Sequence, residues 1–280
     1  MSDSLNITML VENNVSLHSP GGIWAEHGLS AWIEWNGTKI LFDTGRSGTV
    51  LLNNAGILNI DLNSADAIVL SHGHYDHVGG LESVLNNGCS APIYAHPAVS
   101  NPKYTGIPGK WHRSDVEFVV SGAFRKGRKV VESAKPLEIA DGIWMTGEVP
   151  RRHDIEGTGG PFRTDESCLT DDILPDDQSL FIKTPSGTVV MLGCAHSGIV
   201  NTLEYVSELT DGEPIVAVLG GTHLETACPE RMEWTVGALK RLGVKRVHPC
   251  HCTGIVKSVH LCDAIGGESF PATAGTRISI

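Results

Sequence analysis

Ser-His-Gly-His-Tyr-Asp-His-Val-Gly-Gly, residues 71–80, decides the reading of this chain. His72 and His74 stand two apart, so an extended segment points both rings to one side. Asp76 and His77 follow where the chain turns towards a helix, which brings a carboxylate and a third imidazole back to the same point. Imidazole with carboxylate suits zinc, iron, manganese or nickel, whereas calcium asks for oxygen ligands. The chain holds 13 histidines. Given one of them, chance supplies the other three matches about once in 10,000 starts, so accident is a poor account of the cluster.

Working outward, Ala65–Leu70 reads as a buried strand running straight into the cluster, GGLESVLNN (79–87) as a helix, and APIYAH (91–96) as a strand again. Upstream, SAWIEWNGTKILFDTG (30–45) reads as a hairpin turning at Asn36-Gly37, with Asp43 closing its second run. The C-terminal half repeats the pattern of strand, polar cluster and helix. GTVVMLGCAH (187–196) ends at Cys194 and His196, EPIVAVLGGTHL (213–224) at His223, and KRVHPCHCTG (245–254) at His251. A helix-like run follows each, one of them with Pro229 in its first turn. Sites in layered α/β folds gather at strand ends, so these clusters are expected to share one site. Residues 100–175 are rich in Gly, Pro and charge and weak in periodicity, as lids and binding loops are. The expected organisation is a single domain over 1–280, with irregular lid or insertion segments near 100–135 and 150–177.

A composition of 41% hydrophobic and 19% charged residues is that of a soluble globular protein. The net charge of -11 disfavours a nucleic-acid partner, which needs a concentrated basic face. MSDSLNITML lacks the basic-then-apolar pattern of a secretory signal. No apolar run approaches the roughly 18 residues of a membrane helix. A cytoplasmic location without membrane contact is therefore expected. Seven cysteines, an odd number, fit reduced thiols better than a disulfide framework.

These residues resemble the metallo-β-lactamase superfamily of metallohydrolases, whose signature His-x-His-x-Asp-His is met in full by His72, His74, Asp76 and His77. Asp43 in LFDTG matches the family Asp that orients the metal site, and His251 in HPCHCTG would be the last family ligand. The resemblance implies a four-layer αββα sandwich, the α/β metallo-β-lactamase fold, with the site at one edge. Within the superfamily, AEHGLS, LSHGHYDHVGGL, GCAHSGIVN, GGTHL and HCTG together look like the branch named for a 7,8-dihydropterin-6-methyl-4-(β-D-ribofuranosyl)aminobenzene-5'-phosphate synthase. Two features depart from the superfamily. The usual third His in a Pro-Gly-His-type turn is absent between Gly147 and Leu180, where PDDQSL places Asp176 and Asp177. The usual bridging Asp is absent too, and Cys194 or His196 stands in its place.

The resemblance implies one or two divalent metals, Zn2+ or else Mn2+ or Fe2+, held by His72, His74, Asp76, His77 and His251 with His196 or Cys194. Metal-activated water would then attack phosphorus or a carbonyl, with Asp76 holding metal and nucleophile and His196 or His223 protonating the leaving group. The substrate is expected to be a small anionic molecule, a pterin- or nucleotide-like phosphoester first. His27 and His223 are candidate substrate contacts, as are Arg151 and Arg152, whose guanidinium forks suit phosphate. A homo-oligomer is compatible with all of this. The competing readings are a non-catalytic metal-binding protein and a di-iron oxidoreductase of the same fold; the second usually carries Glu where this chain has His74.

Overall fold

The computed structural model describes residues 4–280; Met1–Asp3, at the head of the stretch read above for a secretory signal, lie outside the described residues. The chain divides into two compact units. The first holds the residues up to Ser133 together with Phe162–Asp172 and Thr273–Ile280, and the second holds Ala134–Pro161 and Ile173–Ala272.

Among the described residues, the first unit carries a seven-stranded sheet. Its strands, numbered in chain order, are β1 (Asn6–Val11), β2 (Ser30–Trp35), β3 (Thr38–Phe42), β4 (Ala67–Val69), β5 (Ile93–Ala95), β8 (Val130–Glu132) and β16 (Arg277–Ser279). They lie in the order β16-β1-β2-β3-β4-β5-β8, antiparallel as far as β3 and parallel from there. The β2–β3 hairpin turns at Asn36 and Gly37, with φ of 49° and 81°, between the paired residues Trp35 and Thr38. Two positive φ values are what a two-residue turn between right-twisted strands demands. Side chains alternate along each strand. Trp32, Leu41 and Ile68 pack with Leu51 and Ala55 of α1 (Gly48–Ile57) and with Leu81, Val84 and Leu85 of α3 (Leu81–Asn86). Burial of each of these Leu, Ile and Val side chains stabilises by about 1.5–3 kcal/mol. The alternate set, Ile33, Ile40, Phe42 and Val69, is fully buried as well.

The second unit carries β9 (Leu137–Ala140), β10 (Ile143–Met145), β12 (Leu180–Thr184), β13 (Gly187–Leu192), β14 (Ile215–Gly221) and β15 (Arg246–Cys250). They lie in the order β15-β14-β13-β12-β10-β9, with β13, β14 and β15 parallel. Parallel neighbours need crossover helices. These are α5 (Ile199–Leu209) and α6 (Pro229–Arg241), and α7 (Ile255–Ile265) follows β15. Val190, Leu192, Val218 and Val247 pack with Leu203, Val206, Leu239 and Leu261 from the helices. The three parallel strands thus deliver Cys194, His196, His223, His251 and Cys252 from their C-terminal ends.

Residues 100–135, expected to be irregular, contain β6 (Tyr104–Ile107), β7 (Lys110–Arg113), the short helix α4 (Glu117–Val120) and β8. β11 (Phe162–Arg163) pairs with β6, so part of the second expected lid belongs to the first unit. These strands are two to four residues long and half-exposed, too short and too mixed to show a period. Among the described residues, no helix is long and apolar enough to cross a membrane.

Close approach explains the glycines that end the histidine motif. A Cβ on Gly80 would lie 2.2 Å from the Thr44 carbonyl oxygen, and one on Gly79 would lie 2.1 Å from that of Arg46. Gly56, exposed within α1, has open space around it. Gly80→Ala is expected to lower stability by about 1–3 kcal/mol through forced backbone displacement. Gly56→Ala is expected to raise it by about 0.5–1 kcal/mol. Urea unfolding midpoints of the two variants against the parent check both signs.

Candidate metal centre

In the first unit, Asp43 directly follows β3, and Leu70 leads from β4 into the histidine motif. α2 (Tyr75–Val78) begins directly after His74, so Asp76 and His77 sit in its single turn. Asp43, Ser71, His72 and His77 are all 0% exposed. The Asp43 carboxylate organises the cluster. Its Oδ1 accepts the Ser71 N–H at 2.7 Å, and its Oδ2 accepts the Ser71 hydroxyl at 2.6 Å and His77 Nδ1–H at 2.6 Å. With its proton given to Asp43, Ser71 Oγ is an acceptor for His72 Nδ1–H at 2.9 Å. Both rings are thereby held in the tautomer that leaves a lone pair on Nε2, as metal-binding imidazoles require.

The rings converge. The His72 centroid lies 4.2 Å from that of His77 and 4.7 Å from that of His74. His74 lies against Phe162, at 4.9 Å between centroids, and Gly73 between the two ligands leaves space that a Cβ would contest with the Val99 carbonyl at 2.2 Å. Asp76 Oδ2 lies 3.1 Å from Nε2 of His27, whose side chain is half-exposed. Two buried imidazoles oriented through a buried acceptor, with His74 and Asp76 beside them in the motif, are donor types that suit a divalent transition metal.

In the second unit, His196 is fixed on several sides. Its Nδ1–H donates to the Thr158 carbonyl at 2.7 Å, and its own carbonyl accepts from Arg151 at 2.7 Å. Asp177, considered above as a substitute ligand, accepts the Ser197 N–H at 2.8 Å and so supports the His196 loop. Burial pushes its carboxyl up, against the opposing pull of the backbone N–H groups of Ser197 and His196. Glu156 does the same for the following helix, accepting from Val200 and Asn201 at 3.0 and 2.7 Å. Nothing in its Gly-rich sequence context marks Glu156 beforehand. The rings of His196 and His223 are 4.3 Å apart.

Cys252 is the residue the sequence reading passes over. Its Sγ accepts the His223 N–H at 3.3 Å, and ligand atoms of Cys194, His223 and Cys252 all lie within 4.8 Å of one another. Burial raises its thiol, but Cys194, the adjacent His223 and His251, and the His223 N–H outweigh that and hold it well below the usual range. The available signal was its place beside His251 at a strand end.

The two arginines expected at a substrate phosphate are committed within the protein. Arg151 donates to the carbonyls of His196 and Ile173, and Arg152 forks onto the Glu208 carboxylate. The Arg152 fork is met by a carboxylate on α5, which satisfies the same geometry a phosphate would. His153 pairs with Glu204 at 2.8 Å and lies edge-on to Trp234.

Asp43→Asn replaces the shared acceptor by an amide that can accept through one oxygen only. Metal affinity is expected to fall about 10–100-fold, read by competition with a chromogenic chelator. Unchanged affinity would show that Asp43 does not order the ligands.

Comparison with known proteins agrees with this architecture. The metallo-beta-lactamase superfamily profile matches residues 24–166. The 7,8-dihydropterin-6-methyl-4-(beta-D-ribofuranosyl)-aminobenzene-5'-phosphate synthase of Methanocaldococcus jannaschii is 34% identical over 270 residues, covering 90% of this chain and 88% of that protein. Among solved structures, Tm1679, a metal-dependent hydrolase of the beta-lactamase superfamily, superposes with a TM-score of 0.82 at 29% identity over 98% of each chain. Zn(2+)-bound PqqB from Methylobacterium extorquens shares the fold, with a TM-score of 0.59 at 13% identity over 98% of this chain and 99% of its own. The chain has the α/β metallo-β-lactamase fold and belongs to the metallo-β-lactamase superfamily, in the branch that resembles this dihydropterin-linked synthase.

Proposed function

We propose that the chain is a metal-dependent enzyme that transfers or hydrolyses a group on a small phosphate-bearing substrate of pterin- or nucleotide-like chemistry. The observation that carries this reading is the buried carboxylate of Asp43 aligning His77 directly and His72 through Ser71. An arrangement that presents Nε2 lone pairs from buried rings has a clear use as a ligand set, and little as a source of stability. The similarity to a protein named as a synthase favours transfer to an acceptor other than water, with hydrolysis as the simpler variant of the same chemistry.

The proposed ligands on the first unit are His72, His74, Asp76 and His77; on the second unit His196 and His251 are proposed as metal ligands. A divalent cation held there supplies Lewis acidity towards a phosphoryl oxygen or a bound water. The chain's own groups do the rest. Asp43 and Ser71 keep the ligand tautomers, and Thr158 does so for His196. His27, half-exposed and paired with Asp76, is the proposed substrate contact beside this cluster, and His196 or His223 the proposed proton donor.

Purified protein is expected to contain a divalent transition metal and to cleave an activated phosphodiester in a chelator-sensitive way. His72→Ala combined with Asp76→Ala should remove both the metal and the cleavage. Offering a phosphate-activated dihydropterin with and without a ribofuranosyl-aminobenzene 5'-phosphate separates transfer from hydrolysis. Full metal loading with no turnover of any phosphate or acyl compound would sink the reading.

A further inference from the structure

We infer that Cys194, His223 and Cys252 form a thiolate-rich metal site of their own, selective for Zn2+ or a similarly thiophilic divalent cation, on the second unit. Their ligand atoms lie within 4.8 Å of one another. Zinc at about 2.3 Å from sulfur and 2.0–2.1 Å from nitrogen needs donors roughly 3.3–3.8 Å apart in a tetrahedron, which small side-chain rotations supply. Two thiolates and one neutral imidazole balance the charge of a divalent ion, and its binding displaces the two thiol protons.

The backbone is built around this group. β13, β14 and β15 each lead into a non-glycine residue in the left-handed region: Ala195 at φ 53°, His223 at 50° and His251 at 52°. Such a conformation is strained for a residue with a side chain and persists only where the surroundings impose it. The distortion at His223 brings its own N–H to 3.3 Å from Cys252 Sγ, the kind of bond that supports a thiolate ligand. Gly221, the last residue of β14, must lack a side chain, because a Cβ there would stand 2.6 Å from Cys252 Sγ and 3.3 Å from Cys194 Cα. Cys194 is buried, and His223 and Cys252 are half-buried. His223, a candidate substrate contact by sequence, becomes a ligand here.

Cobalt(II) replaces zinc and reports sulfur ligation by a charge-transfer band in the near ultraviolet. Titration of the reduced, metal-free full chain with Co2+ should develop that band to one equivalent. The band should fall to about half or less in Cys252→Ser and vanish in the Cys194→Ser/Cys252→Ser pair, yet survive in His72→Ala/His74→Ala. Independently of any variant, Zn2+ should slow alkylation of Cys252 in the unaltered chain roughly tenfold or more, mapped by mass spectrometry. Cobalt saturation without the band, or no protection by zinc, overturns the site. A band lost in His72→Ala/His74→Ala overturns it also, because the thiolates would then serve the ion of the His72 cluster, and the proposed function would stand.

Discussion

A carboxylate withdrawn from water destabilises a fold by several kcal/mol unless protein donors fill its oxygens. Asp43 is withdrawn completely, and its two oxygens take three hydrogen bonds, from the Ser71 N–H, the Ser71 hydroxyl and His77. Both partners come from the single segment that follows β4. The same bonds that satisfy the charge therefore fix where that segment lies against the end of β3 and how two of its imidazoles face. Stability and ligand geometry depend here on one group, and neither can be altered without the other.

In each unit the chain departs from relaxed geometry at strand ends in a regular way. Asp43 itself sits at φ 54°, and Ala195, His223 and His251 take nearly the same value at the ends of β13, β14 and β15. None is a glycine. Left-handed backbone turns a side chain sharply away from the line of its strand, which a straight exit would not do. The cost is offset by apolar packing, with Leu41, Ile68 and Leu81 in one unit and Val190, Leu203 and Leu239 in the other. Rigid sheets tolerate distorted ends because the strain stops at the last ladder pair.

Several polar residues that look available for a ligand act as braces for these ends. Asp177 and Glu156 accept backbone N–H groups beside His196 and at the start of α5, and Arg151 holds the His196 carbonyl. An isolated Arg-Arg-His or Pro-Asp-Asp run offers no way to tell a brace from a substrate contact, because both use the same donors and acceptors. The difference lies in whether a backbone group far along the chain is there to meet them: Arg152 meets Glu208 56 residues away.

The histidine motif, the Asn36-Gly37 turn, the recurring strand, polar cluster and helix of the C-terminal half, and the family were legible in the chain itself. The motif and the turn rest on spacing within a few residues, where the period of strand or helix and the stiffness of a two-residue turn leave few alternatives, and the family rests on several such short motifs along the chain. Tertiary structure alone decided the division into two compact units, the short strands of 100–135, the placing of Phe162 against His74, and the meeting of Cys252 with Cys194 and His223. Those pairings join residues far apart in sequence, and what selects them is packing and backbone distortion at strand ends. The residue types in the chain do not encode either one locally.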